Sequence, residues 1–230
     1  MKKEFWYSLM IKNNLNQRIF TSMILLFLLF LMLKYSVVLI SSLLLIFVVS
    51  WIEFNNLIEK IYKKNTSHFQ KKIFQFFIFI YLLFFIKVVV DDYIQNQPNI
   101  SWNILYVITI CVLSDVGGYI FGKTFKGKKL TKISPNKTFS GMYGSFILSS
   151  LFALFYSYTI SFVDFEVIFL ISIFISIINQ IGDLFVSYLK RKSKVKDTGN
   201  ILPGHGGFLD RIDGILFALP VGILLFNYYF

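Results

Sequence analysis

Apolar residues run almost unbroken through seven stretches of this chain, near 19–33, 36–52, 73–90, 101–121, 145–163, 165–189 and 214–230. Most come close to the ~17–25 residues that a helix needs to cross a bilayer. The pattern therefore predicts an all-α, polytopic membrane protein with about seven transmembrane helices. Only Lys34 and Tyr35 separate the first two runs, which leaves open whether they form a hairpin. Two long polar connectors, 122–144 and 189–213, interrupt the later runs. The chain is read as an N-terminal part, 1–100, of about three spans, followed by a part, 101–230, that carries both connectors. With no long polar segment elsewhere, any chemistry falls to the helix ends and these two connectors.

Composition agrees with this reading. The chain is 56% hydrophobic, against about 45–50% for an ordinary soluble domain. The net charge of +11 is unevenly placed. With the N-terminus in the cytoplasm, Lys2, Lys3, Lys12, Arg18, Lys60, Lys63, Lys64, Lys71, Lys72, the lysines from Lys123 to Lys137 and the basic connector beyond Tyr188 share one side, while Asp91, Asp92, Asp164 and Glu166 fall on the other. That is the positive-inside arrangement. Most of the lysines are thereby explained as orientation signals, and no nucleic-acid partner is expected. The charged N-terminal stretch has no small-residue cleavage site after the first apolar run, which argues against a cleaved leader. Cys111 stands alone, so neither an internal disulfide nor a cysteine metal site is expected.

Carboxylates inside apolar helices cost about 2.5–3.5 kcal/mol at mid-bilayer on insertion scales, so they point to function. Asp115 precedes Lys123 by eight residues and Asp183 precedes Lys190 by seven, which sets both at a similar depth on the cytoplasmic side. Asp210 and Asp213, three apart, share a face where the last helix enters from that side. The second connector sets Lys190, Arg191, Lys192, Lys194, Lys196 and Arg211 beside Asp197, Asp210 and Asp213, a mixture suited to phosphates and a divalent metal together. In the first connector, Ser134-Pro135-Asn136-Lys137-Thr138 sets two hydroxyls, an amide and an ammonium around a stiffened turn. Plainer readings exist: Asp115 paired with a snorkelling lysine, Gly118 and Gly122 as a packing pair, Asp210 as a helix cap, and His205, among Gly204, Gly206 and Gly207, as part of a tight turn.

The segment from Ser187 to Asp213 resembles the signature of the CDP-diacylglycerol synthases, or phosphatidate cytidylyltransferases: S-x-apolar-K-R, then K-D, then H-G-G-apolar-x-D-R-apolar-D. Gln180-Ile181-Gly182-Asp183-Leu184 is similar to that family's Q-x-G-D-L. Asp115 with Tyr119, Gly122 and Lys123, and Ser134 to Thr138, are similar to its two earlier motifs. Asn16-Gln17-Arg18-Ile19 and Trp51-Ile52-Glu53-Phe54 echo it more loosely. The chain departs from the pattern at Asn136, at Ser140, where the family has Glu, and at Ser145, where it has Gly, and it is shorter than the family leads one to expect.

The resemblance implies transfer of CMP from CTP to phosphatidic acid, giving CDP-diacylglycerol and pyrophosphate, at a site facing the cytoplasm in the inner cell membrane. It further implies Mg²⁺, with K⁺ as a second cation the pattern admits, held by Asp183, Asp210 and Asp213. Catalytic roles are expected for Asp183, Lys190, Arg191, Lys196, Asp197, His205 and Arg211, substrate-binding roles for Asp115, Ser134, Lys137, Thr138 and Ser187, and a homodimer. Two rival classes share parts of this pattern. A CTP-dependent lipid or polyprenol kinase would use the same metal and nucleotide; a cation-coupled transporter would use Asp115 and Asp183 as a relay, but it calls for broken helices and an inverted repeat, and only Pro220 interrupts a span. The charge asymmetry itself is testable in intact cells. An impermeant thiol reagent is expected to label cysteines introduced beside Asp91 and Asp164, and to leave those at Lys128 and Lys194 unmodified; labelling at 194 would reverse the orientation.

Overall fold

The structure, a computed structural model, describes residues 23–24, 26–62, 68–96, 101–160, 164–199, 201 and 206–230. Helical residues 26–34 lead through Tyr35 into α1 (Ser36–Tyr62), followed by α2 (His68–Gln95), α3 (Trp102–Phe125), α4 (Phe139–Thr159), α5 (Phe165–Lys192) and α6 (Leu209–Tyr229). The first five of these six are long and apolar enough to cross a membrane. An antiparallel bridge joins Lys129 to Thr138.

The helices outrun the apolar stretches that reveal them. α1 continues ten residues past Ile52 because Phe54, Leu57 and Ile58 keep the three-to-four spacing that buries one face while Asn56, Glu59 and Lys60 turn outward. α4 begins at Phe139, inside the predicted 122–144 connector, because the Thr138 hydroxyl accepts the Gly141 N–H at 3.1 Å and so caps the helix. The connectors are correspondingly shorter than the sequence suggests, 126–138 and 193–208.

Outward-facing positions are apolar all round the bundle: Leu44, Phe77, Leu151 and Leu170 are each more than half exposed. Such a surface suits lipid and would aggregate in water. Inside, α3 packs most extensively on α4, and α5 on α6. Small residues make both pairings possible. A Cβ on Gly117 would lie 2.4 Å from the Gly144 carbonyl oxygen, and one on Gly141 would lie 2.7 Å from that of Gly118. The two backbones are thus in direct contact, the close approach that small residues allow between membrane helices. Gly182 and Gly214 do the same for α5 and α6, where added Cβ atoms would fall 2.7 Å from the Asp213 carbonyl oxygen and 2.2 Å from Asn179 Oδ1.

Polar side chains in this interior find one another. Tyr106 Oη meets Ser172 Oγ at 2.5 Å, Ser114 Oγ meets Ser176 Oγ at 2.8 Å, and Ser145 Oγ donates to the Ser114 carbonyl at 2.6 Å. At the far end, buried Asp92 accepts bonds from Ser101 Oγ and Asn103 Nδ2, and Asn103 also reaches Asn227, tying together the ends of α2, α3 and α6. The N-terminal part joins the core too: Tyr81 of α2 donates to the Leu216 carbonyl at 2.9 Å and stacks on Phe217 with ring centroids 5.2 Å apart.

If backbone contact at Gly117 governs the α3–α4 pairing, Gly117→Val is expected to destabilise the protein by about 1–3 kcal/mol through overpacking. Leu151→Ala, on the outer face, is expected to do little. Thermal melting of both variants in detergent checks this, and an unchanged midpoint for Gly117→Val would count against the seam.

Candidate active site

The C-terminal ends of α3 and α5 and the N-terminal ends of α4 and α6 converge with both connectors at one end of the bundle. There a cavity of about 300 Å³ opens between α3, α4, α5 and the first connector. Asp115, Ser134, Lys137, Thr138, Gln180 and Asp183 are among the residues lining it. Expected substrate-binding residues from two stretches of sequence, Asp115 and Ser134 to Thr138, therefore share one space with Asp183, expected as a metal ligand, while Ser187 does not line it. The connector is folded back on itself by backbone hydrogen bonds. Its arms pair through Leu130 N–H to the Lys137 carbonyl at 2.8 Å and Phe139 N–H to the Lys128 carbonyl at 3.1 Å, and a turn closes between them as Lys137 N–H bonds the Ser134 carbonyl at 3.1 Å. Ser140, standing where the resembling family has Glu, ties the connector down: its hydroxyl donates to the Lys126 carbonyl and meets Thr138 Oγ1 at 2.9 Å.

Two ion pairs organise the charges. Lys137 Nζ pairs with Asp183 Oδ2 across the cavity, and Ser187 Oγ donates to Asp183 Oδ1 at 3.3 Å. Lys190 Nζ pairs with Asp210 Oδ1 at 2.8 Å. The other Asp210 oxygen accepts the N–H groups of Thr198 at 2.9 Å and Gly207 at 3.1 Å. Asp210 lies ahead of the apolar part of α6. Partial burial acts to raise its carboxyl pKa, but Lys190 and the two amides outweigh that and hold it below the usual carboxylate value.

Asp213 lies against Asp183, the two carboxyl groups within hydrogen-bonding reach. The cause is the Gly182–Gly214 approach, which brings their chain neighbours together. Of the three carboxylates expected to share a metal, Asp183 and Asp213 thus meet, while Asp210 serves Lys190 and the second connector. No group of three or more His, Cys, Asp or Glu side chains converges on a metal-sized space among the described residues. Two carboxylates in contact, next to a cavity edged with hydroxyls, nevertheless match the donor set of Mg²⁺, which commonly takes one or two carboxylates and completes its shell with substrate phosphates and water.

The remaining expected residues are distributed around this centre. Arg191 Nε donates to the Ile133 carbonyl at 3.4 Å, linking the two connectors. Lys196, Asp197 and Arg211 are exposed on the second connector and the first turn of α6. Gly206, at φ +84°, packs against Asp197 and Asp210, in a conformation that side chains rarely adopt. His205 lies outside the described residues, as do Lys63, Lys64 and the Asn16–Ile19 motif.

Two residues belong to this site with no role expected from the sequence, although Glu53 falls in the Trp51–Phe54 segment that loosely echoes the family. Asn179 is fully buried and donates to Asp115 Oδ1 at 2.8 Å, orienting that carboxylate, while its own Oδ1 has no partner among the described residues. Glu53 of α1, 1% exposed, accepts three bonds: from Thr198 Oγ1 at 2.7 Å, Phe208 N–H at 2.9 Å and Leu209 N–H at 2.8 Å. The loose family echo at Trp51–Phe54 was the signal for Glu53, without a role attached; an amide one turn before Asp183 was the signal for Asn179.

Comparison with known proteins adds an independent line. A family model described as the cytidylyltransferase family matches residues 1–229. Proteins named phosphatidate cytidylyltransferase are similar to the chain: that of Bacillus subtilis (strain 168) is 38% identical over 133 residues, covering 56% of this chain and 49% of the relative. That of Rickettsia bellii (strain RML369-C) is 39% identical over 137 residues, covering 56% and 59%, and that of Staphylococcus haemolyticus (strain JCSC1435) is 45% identical over 123 residues, covering 51% and 46%. The chain spans about half the length of the curated relatives it matches.

Proposed function

The chain belongs to the cytidylyltransferase family, and on that premise we propose that it transfers CMP from CTP to phosphatidic acid, forming CDP-diacylglycerol and pyrophosphate. The observation that carries this reading is a cavity lined together by Asp115, Ser134, Lys137, Thr138 and Asp183. It sits in a bundle with an apolar exterior, as a lipid-consuming enzyme requires. A phosphate oxygen of the lipid attacks the α-phosphorus of CTP, the bond to the β-phosphate oxygen breaks, and pyrophosphate leaves. No covalent enzyme intermediate is needed, so the work of the site is to position the reactants and to offset charge.

Asp183 and Asp213 are the residues that would hold Mg²⁺, with K⁺ alongside. When bound, the metal supplies charge neutralisation at the phosphates and a template for in-line geometry. Lys137, released from Asp183, would offset a phosphate at the cavity wall. The Ser134 and Thr138 hydroxyls can donate to the same phosphates. Lys190, Arg191, Lys196 and Arg211 would add positive charge for the substrate phosphates, and Asp210 pairs with Lys190. Asp115, oriented by Asn179, is placed to accept from a substrate hydroxyl or amine. The proposed setting is a multi-pass, dimeric protein of the inner membrane, with about seven spans, the N-terminus inside and the site facing the cytoplasm, where CTP is found.

The direct test supplies purified protein in detergent with phosphatidic acid, Mg²⁺ and CTP labelled on the α-phosphorus. Label entering the lipid with release of pyrophosphate is the expected result; transfer of γ-label instead would make the protein a CTP-dependent lipid kinase. Under the same conditions, Asp183→Asn is expected to lower kcat/KM by orders of magnitude. Neutralising Lys196 or Arg211 is expected to cost on the order of 10²-fold, or about 2.7 kcal/mol. Lys63→Gln, in a connector without phosphate-binding features, is expected to have little effect. Equal small losses throughout would place the chemistry elsewhere.

A further inference from the structure

We infer that Glu53 is a positioning residue for the proposed reaction: from α1, outside the cavity, its carboxylate clamps the second connector to the start of α6 and thereby sets Asp210, Arg211 and Asp213 relative to Asp183. This inference rests on the reaction proposed above.

The first turn of any helix leaves N–H groups without partners. α6 has no local solution, since its N-cap position is Phe208, which makes no side-chain cap. Glu53 answers for it from another helix. One carboxylate oxygen takes the Phe208 N–H, and the other takes the Leu209 N–H and the Thr198 hydroxyl. A negative charge there also complements the positive end of the helix dipole.

The clamp is directional as well as tight. Thr198 gives its hydroxyl to Glu53 and its N–H to Asp210, so one residue transmits the position of α1 to the carboxylate that holds Lys190. Gly199 and Gly207 pass so close that added Cβ atoms would lie 2.5 Å and 2.9 Å from the Glu53 carboxylate oxygens. Among the described residues no lysine or arginine pairs with this carboxylate, 1% exposed, and the donors that reach it are a hydroxyl and two backbone amides. Those donors all come from the two ends of the connector. Glu53 does not line the cavity, so it acts on the reaction through these neighbours.

Glu53→Gln preserves shape but turns an NH₂ group toward a backbone N–H, which can only donate, whichever way the amide is oriented. In the folded variant, kcat is expected to fall about 10²-fold, as for a small displacement of reacting groups, with KM for CTP changed by less than about threefold. Hydrogen–deuterium exchange at the Phe208 and Leu209 amides is expected to accelerate roughly tenfold as their charge-assisted bonds weaken. Thr198→Val, which removes one donor, is expected to lose about tenfold in kcat, and Thr198→Ser, which restores the hydroxyl, to recover it. A residue that merely stabilised the fold would lower the melting temperature and leave kcat per folded molecule intact. Wild-type kcat in folded Glu53→Gln, or unchanged exchange at Phe208 and Leu209, overturns the inference. Should the wild-type protein transfer no CMP to lipid, the reaction proposed above fails; the exchange measurement, made without substrate, still decides whether Glu53 holds the connector.

Discussion

A charge inside a bundle with an apolar exterior has no water to turn to, and leaving it unanswered costs several kcal/mol. The structure around the cavity follows from that constraint. Asp183 is met by Lys137, Asp210 by Lys190 and two backbone amides, and Glu53 by a hydroxyl and two amides. Each of these arrangements also bridges separate parts of the chain. Satisfying the charges and assembling the site are therefore one process, with Lys137, Thr198 and Gly207 of the connectors among the partners supplied.

Backbone proximity is the second organising element. Glycines at the α3–α4 and α5–α6 crossings remove the side chains that would hold the helices apart. One consequence is the contact between Asp183 and Asp213, two acidic groups that packing brings together although their charges would repel. That arrangement gains most from a bound cation. Lys137, on the opposite wall, can offset one of the two charges.

Much of this was legible beforehand, for reasons that differ by feature. The existence of the helices follows from apolar runs too long for anything else. Their ends do not, because they are set by side-chain caps and by the periodic burial of a few residues. Thr138 starts α4 among Ser and Gly residues that read as loop, and Phe54, Leu57 and Ile58 extend α1 beyond its continuous apolar run. Asp115 and Asp183 were found by counting residues inward from the basic ends, a reliable measure in a helix of fixed rise. The partner of Asp210 was not, since Lys190 lies 20 residues earlier and reaches it only because the connector turns back. Asn179 and Glu53 escaped for a related reason. A single polar residue in an apolar helix announces burial or function without revealing which distant group it meets.

The reach of Glu53 and Tyr81 into the C-terminal half bears on how such a protein can be divided. By composition, the boundary near residue 100 looks like a place to cut, exchange or graft, with the chemical groups all on one side of it. The hydrogen bonds cross that line. A chimera joining residues 101–230 to unrelated helices would carry every side chain proposed to face phosphate and still lack the acceptor that seats the start of α6. The interchangeable unit is the whole bundle, and the freedom to vary lies in its lipid-facing surface.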